Sequence, residues 1–349
     1  MTHYVRSADF IRNMIRESED LNEYAFALGA LSHFAADNNG HRMATNLSVP
    51  LLYPKLRAKF GNSITYADDP FSHSKTEFGF DVFQSAKSRY ASEAFKEFIG
   101  FQVAKPVLER AFEDTYGMKL GAVFLSVDLA IGSYRRAVGT ILPALTKVAW
   151  QLKGPEIQRE VPGITRKKFL YNLSRSSYEK NWGATYQRPG IRSRILAFFF
   201  RIVPRVGPFK ALAFEKLTPE TEKLYMVGFN ATIDRYRELL AGVGRGQLIM
   251  SNDNIDVGAV TTAGQYKLTD DAYAKLLDKL DGHYVDLPQD LRSDILAFYQ
   301  DLGVPIATKT NASDWGRLQD ELTHLEAVNR DLGAETTKVS TVVSAPVLQ

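Results

Sequence analysis

The sequence lacks cysteine entirely, over 349 residues. This excludes disulfides, thiolate metal ligands and cysteine nucleophiles, so that any zinc site has to use histidine and carboxylate. Such a ligand set is more typical of catalytic than of structural zinc. Long apolar runs are also missing, because the longest block, residues 195–200, is far shorter than the roughly 18 residues of a membrane span.

A strong excess of either charge is absent as well. The net charge is +3 and the sequence pI is about 8.8, which is too mild, averaged over the chain, to predict binding to nucleic acid or to a membrane surface. The start of the chain, Met1 followed by Thr-His-Tyr-Val-Arg, shows no apolar segment of an export signal. With 45% hydrophobic residues, the chain can bury one large core or two modest ones.

Apolar residues recur at helical spacing along most of the chain, and no alternating run between tight turns indicates a strand. We therefore predict an all-α fold. Its expected parts are a multi-helix domain with a metal site between helices, a basic helical extension, a helical C-terminal region after a glycine-rich linker, and a disordered tail. These correspond to residues 1–153, 154–243, 244–333 and 334–349.

Two helix boundaries can be predicted from individual residues. A helix over residues 9–36 is expected to stop at Asn38-Asn39-Gly40, with Gly40 as a left-handed cap. Thr218 is expected to cap the start of a helix over residues 219–243.

Histidine and carboxylate recur at one spacing near the start of the chain. His33 and Asp37 are four residues apart in a predicted helix, so their side chains share one face. His73 and Glu77 repeat this spacing on a second predicted helix, and His41 lies between the two pairs. A single histidine of this kind is usually an ordinary core or surface residue, but two such pairs within 45 residues favour a metal site.

The mixture of imidazole and carboxylate favours zinc, since magnesium and calcium prefer oxygen ligands. Five or six candidate ligands exceed the three or four that one zinc ion needs. We therefore expect two or more ions, with a carboxylate such as Asp37 bridging them. Clustered metals are suited to phosphate ester hydrolysis.

Three segments resemble motifs of the zinc-dependent phospholipase C family, most closely the branch with the N-terminal domain of glycosylphosphatidylinositol-specific phospholipase D. They are Ser32-His-Phe-Ala-Ala-Asp-Asn-Asn-Gly-His41, Ser72-His-Ser-Lys-Thr-Glu-Phe-Gly-Phe-Asp81 and Thr2-His3-Tyr4. The resemblance covers residues 1–85 with specific motifs and is looser beyond. It implies an all-α hydrolase of phosphodiesters, with phospholipid as substrate class, and residues 155–243 resemble the C-terminal part of a bacterial subgroup.

The resemblance also implies which residues bind zinc. One ion would be held by His3, His33 and Asp37 and a second by His41, His73 and Glu77. Asp37 would face a third ion, and we take it as the candidate catalytic residue. Family members carry a further His upstream of the position matching His3, and an Asp that completes the first site and is the favoured general base. The first site is therefore expected to be incomplete in this chain, with truncation preferred over degeneration as the reason.

A basic segment follows residue 160, where residues 161–210 hold eleven Lys or Arg and one acidic residue. Within residues 192–210, cations flank bulky apolar residues, an arrangement suited to a phospholipid surface; these cations are Arg192, Arg194, Arg201, Arg205 and Lys210. A buried helix with solvated ends is the plainer interpretation of this segment.

For the whole protein, a single-strand nuclease on the same scaffold and a non-catalytic zinc-binding protein remain alternative functions. The family resemblance predicts an exported, periplasmic or secreted, protein.

Overall fold

The structure is a computed structural model that describes residues 2–87, 103–136, 142–169, 214–300 and 312–342. These residues form helices and connecting loops, and the one β-type pairing among them is an isolated bridge between Asn254 and Ala259. The predicted all-α fold is confirmed. The α-helices, numbered here in chain order, are α1 Ser7–Arg16, α2 Leu21–Gly40, α3 Asn46–Leu52, α4 Pro54–Phe60, α5 Pro70–Ala86, α6 Lys105–Tyr116, α7 Val127–Arg136, α8 Leu142–Glu160, α9 Arg166–Phe169, α10 Pro219–Gly244, α11 Lys267–Leu280, α12 Gln289–Phe298 and α13 Ala312–Val342.

The chain divides into two units, each built from segments far apart in sequence. The first unit contains Met1–Asn38, Ala104–Val123 and Arg235–Gln349, and the second contains Asn39–Val103 and Phe124–Asp234. The boundaries predicted from sequence near residues 153, 243 and 333 stay predictions.

In the first unit, α1 packs against α6 through aromatic side chains. Phe10 of α1 contacts Phe112 and Tyr116 of α6, with ring centroids 6.4 and 6.0 Å apart. The Tyr116 hydroxyl donates a 2.8 Å hydrogen bond to the carbonyl of Val5. This bond satisfies the polar end of a fully buried ring and fixes the chain just before α1.

Arg6 is a buried cation at the entry to α1, with only 3% of its surface exposed and a left-handed backbone (φ 49°). Its guanidinium donates to Asp9 at 2.7 Å, to the carbonyl of Thr115 at 3.1 Å, and to Asp290. A buried charge is tolerated when it is paired and hydrogen bonded in this way. The network ties the N-terminal segment to α6 and to α12.

In the second unit, α5 has two differently used faces. Its apolar face, which includes Phe78 and Phe83, packs against α8 and α9 and against Phe214. The Phe78 and Phe83 rings meet Phe214 edge-on, with centroids 5.6 and 6.2 Å away. At 100° per residue, His73 and Glu77 lie on the opposite side of the helix from this core.

The prediction of one continuous helix over residues 9–36 is wrong, both in its continuity and in its end. It is interrupted at residues 17–20, because the Asp20 side chain accepts the N–H groups of Asn22 and Glu23 and so starts a new helix. The predicted stop at Asn38-Asn39-Gly40 is also wrong. Gly40 has right-handed helical angles (φ −63°, ψ −48°), and α2 passes directly into a π-helical turn, His41–Thr45.

Of two further expectations, the helix cap at Thr218 is confirmed, whereas part of the expected disordered tail is helical. The Thr218 hydroxyl accepts the N–H of Thr221 at 3.2 Å. Helix α13 continues to Val342, into the stretch from residue 334 that was expected to be a disordered tail. A helix that has begun costs less free energy to extend than to nucleate.

Residues 343–349 and the basic segment 192–210 lie outside the described residues. In the described part, no helix is both long and apolar enough to cross a bilayer.

The junction after α6 gives a test of the packing in the first unit. Gly117 has φ +64°, and a Cβ atom there would lie 2.3 Å from Cδ2 of Leu287. We expect Gly117→Ala to lower the free energy of unfolding by about 2–4 kcal/mol, through left-handed strain and overpacking. Urea denaturation measures this change.

The matched control is Gly121→Ala, whose added Cβ meets nothing within 4 Å at a residue without positive φ. Its free energy of unfolding is expected to stay within about 0.5 kcal/mol of the parent. Equal losses in the two variants would contradict the described packing of Leu287.

Candidate metal centres

The structure brings all six predicted ligands into two groups of three. His3, His33 and Asp37 form the first group, and His41, His73 and Glu77 form the second. Within each group, one potential ligand atom per residue lies within 4.8 Å of the others. The first group lies in the first unit and the second group in the second unit.

Helix geometry places the second group. Asp69 caps α5 by accepting the N–H of Ser72 at 2.7 Å, and Pro70 occupies the first helical position. The cap starts the helix so that His73 and Glu77 stand one turn apart on the face opposite the core. His41 comes from the first residue of the π-helical turn, an element often found at functional sites.

The decisive geometry of the second group is the approach of two imidazoles to one oxygen. Oε1 of Glu77 lies 3.3 Å from Nε2 of His41 and 3.3 Å from Nδ1 of His73. A tetrahedral zinc ion with bonds of 2.0–2.1 Å would hold neighbouring ligand atoms about 3.3 Å apart. These separations therefore fit three ligands of one zinc ion.

Asn46 fixes which nitrogen of His73 faces this point. Its Oδ1 lies 2.9 Å from Nε2 of His73, and both side chains are buried. Because an amide oxygen only accepts, Nε2 carries the hydrogen and neutral His73 turns the lone pair of Nδ1 towards Glu77. Among the described residues, buried Nδ1 makes no hydrogen bond. Two acceptors facing each other at 3.3 Å call for a cation between them.

Glu77 is ionised in this arrangement. Burial by itself would raise the pKa of Glu77, but the interactions with the neighbouring His41 and His73 outweigh burial and lower the pKa to about 2. The carboxylate is therefore ionised at all physiological pH values and available as a ligand. The Tyr66 ring also packs perpendicular to the His73 ring, with centroids 5.7 Å apart.

The first group combines one residue from the N-terminal turn with two from α2. Nε2 of His33 lies 3.2 Å from Oδ2 of Asp37, one helical turn away, and the His3 and His33 ring centroids are 5.6 Å apart. Burial is the main cause that lowers the pKa of His3, which favours the neutral form needed in a metal ligand. The side chain of His33 is 62% exposed, so this group is open to solvent.

Two residues in contact with these groups were missed in the sequence. Asn46 supports His73, and the carbonyl of His3 accepts the N–H of Ile255 at 3.1 Å. Neither contact has a signal in the local sequence pattern, because each joins residues that are far apart in sequence.

Two other histidines, His283 and His324, were predicted to be ordinary surface positions. Both are exposed and belong to neither group.

Removal of the Asn46 side chain tests the role of the second group. We expect Asn46→Ala to weaken zinc binding at the second group by about 10- to 100-fold, as is usual for a partner that orients a metal-binding histidine. Asn46→Asp keeps an acceptor for His73 and should bind zinc more tightly than Asn46→Ala. Competition with a chromophoric chelator measures the affinity. Unchanged affinity in Asn46→Ala would show that the hydrogen bond does not orient His73.

Comparison with known proteins adds an independent finding. The family described as Zinc dependent phospholipase C matches residues 1–125, a stretch that contains both groups. No curated protein and no solved structure matches the chain. The resemblance to the glycosylphosphatidylinositol-specific branch stays a prediction, whereas residues 1–125, about a third of the chain, match the zinc-dependent phospholipase C family.

Proposed function

We propose that the chain is a zinc-dependent phosphodiester hydrolase of the phospholipase C type that acts on phospholipids. One observation carries the proposal. Two groups of His, His and carboxylate, with donor atoms close enough to share an ion, lie within the part of the chain that matches the zinc-dependent phospholipase C family. The donor set suits zinc and excludes the thiolate sites typical of structural zinc.

The two groups have different roles in the proposed reaction. When bound, zinc would supply a nucleophile from water near neutral pH and stabilise negative charge on the phosphoryl oxygens. Buried His73 is held rigid by Asn46 and keeps its group in place. Exposed His33 leaves the first group accessible to an ester as large as a lipid head group.

Asp37 is proposed as the catalytic residue. A carboxylate can hold a metal through one oxygen and accept a proton from attacking water at the other. Its partner His33 lies 3.2 Å from Oδ2. A bridging position for Asp37, with a third ion, is part of this proposal, and the total number of ions is two or three.

Two further parts of the proposal rest on sequence. The basic segment 192–210, in a stretch with a local charge of +10 over residues 161–210, would contact phospholipid head groups through its Lys and Arg side chains. Export to the periplasm or the medium would bring the enzyme to its lipid substrate. The family resemblance supports both ideas.

The zinc content of the purified full chain tests the proposal. We expect at least two zinc ions per chain, and a loss of about one ion in His33→Ala and of another in His73→Ala. Hydrolysis of phosphatidylcholine vesicles is expected to fall by about 100-fold or more in each variant, because each loses a metal ligand. Elemental analysis and release of phosphocholine are the measurements.

His283→Ala is the matched control, since this histidine is exposed and outside both groups. It should keep its zinc and its activity. A purified chain without zinc, or a zinc content that the two ligand substitutions leave unchanged, would contradict the proposal. Release of nucleotides from single-stranded DNA without a lipid product would change the substrate class to nucleic acid. Zinc binding without any turnover would leave a binding protein.

The role of Asp37 is tested separately with Asp37→Asn. The amide keeps an oxygen for the metal but cannot accept a proton, so kcat measured at saturating zinc should fall by about 100- to 10,000-fold. Zinc content measured at the same zinc concentration should change little. A variant with full zinc and near-normal kcat would show that Asp37 is a ligand without a catalytic role.

A further inference from the structure

A loop beyond the family-matched residues is held tightly against the start of the chain, within the first unit. Its Asn252 accepts the N–H groups of both Ala8 and Asp9 at 3.0 Å, and so caps α1 from a distant part of the sequence. The carbonyl of Asp253 accepts the Ser7 hydroxyl at 2.6 Å. Residues 250–256 are therefore fixed relative to the segment that carries His3.

The same loop brings a buried carboxylate to this segment. Asp256 is 3% exposed, and its Oδ2 accepts the hydroxyl of Tyr4 at 2.9 Å and that of Tyr266 at 2.8 Å. The N–H of Asp256 donates to the Asn254 side chain at 3.0 Å. Three hydrogen bonds thus hold the carboxylate and its backbone next to Tyr4, the immediate neighbour of His3.

The preceding residue joins this loop directly to the metal ligand. The backbone N–H of Ile255 donates to the carbonyl of His3 at 3.1 Å. Asp256 follows Ile255 directly and accepts the hydroxyl of Tyr4, the residue after His3. Its negative charge is therefore held close to the segment that carries His3.

We propose that Asp256 is a positioning residue of the first metal group, where its buried negative charge strengthens binding of a divalent zinc ion held by His3, His33 and Asp37. It is not assigned as a ligand, because its Oδ2 accepts two tyrosine hydroxyls. A second negative charge favours a divalent cation over an empty site, and the rigid loop reduces the freedom that His3 would lose on binding.

This inference rests on the proposed zinc-binding function, and it gives the C-terminal region a role in that function. A purely structural role for Asp256 would be to anchor the loop through Tyr4 and Tyr266. The two roles are separable, because Asp256→Asn keeps the size of the side chain and an oxygen for the tyrosine hydroxyls but removes the charge.

The experiment uses the full chain, freed of metal with a chelator and titrated with zinc by calorimetry or chelator competition. We expect Asp256→Asn to weaken one binding event by about 10- to 100-fold, the usual effect of losing a carboxylate near a metal ligand. The weakened event should be the one that His33→Ala abolishes, and the event that His73→Ala abolishes should be unchanged. Adding Asp256→Asn to His33→Ala should therefore have no further effect on zinc binding.

Asp253→Asn is the matched control, because it changes an acid of the same loop whose carboxylate is hydrogen bonded to Ser251 rather than to Tyr4. It should bind zinc like the parent. The unfolding midpoint of each metal-free variant is measured alongside, so that a loss of stability is not taken for a loss of affinity.

The outcomes separate the two proposals. If the parent chain binds zinc and Asp256→Asn binds it equally well at both groups, this inference is overturned while the proposed function stands. A fall in the metal-free midpoint with both binding events equally weakened would assign Asp256 a structural role and also overturn it. If the parent chain binds no zinc, the proposed function fails and this inference fails with it.

Discussion

The second metal group depends on one interaction, the convergence of two imidazole nitrogens on a single carboxylate oxygen. Glu77 faces His41 and His73 at 3.3 Å each, and Asn46 turns the lone pair of His73 towards the same point. Acceptors that face one another at this distance repel unless a cation lies between them. The fold around them has to hold this arrangement against that repulsion before any ion is bound.

The second unit provides such support through α5. One side of this helix is fixed by the aromatic core around Phe78, Phe83 and Phe214, so the opposite side presents His73 and Glu77 from a rigid base. Close packing also holds the π-helical turn that carries His41. Helix α10 approaches it at Gly228, where an added Cβ would lie 3.3 Å from that of Ala44. Rigid packing of this kind keeps ligands in position and lowers the cost of binding an ion.

The first unit reaches a similar result by a different route. Its group begins in a turn before α1, and a turn alone would not hold a ligand in place. Buried Arg6 in that segment donates hydrogen bonds to Thr115 and Asp290, and the loop at residues 250–256 makes further hydrogen bonds with the same segment. Residues more than 200 positions away along the chain therefore stabilise His3. The start of the family-matched segment, residues 1–125, is accordingly held in part by contacts with the C-terminal region.

The sequence by itself determined the helical class and the two pairs of candidate ligands, because the spacing of His33 with Asp37 and of His73 with Glu77 follows from the periodicity of a single helix. It also determined the capping role of Thr218, a contact over three residues. The end of α2 could not be predicted in this way, since Gly40 accepts right-handed as well as left-handed angles and packing chose the former. The division of the six residues into two groups was implied by the family resemblance and not by local spacing, and only the tertiary structure decided that Asn46 contacts His73 and that Asp256 lies beside the segment of His3. Those contacts join residues 27 or more positions apart, and local patterns carry no information about which distant segments will meet.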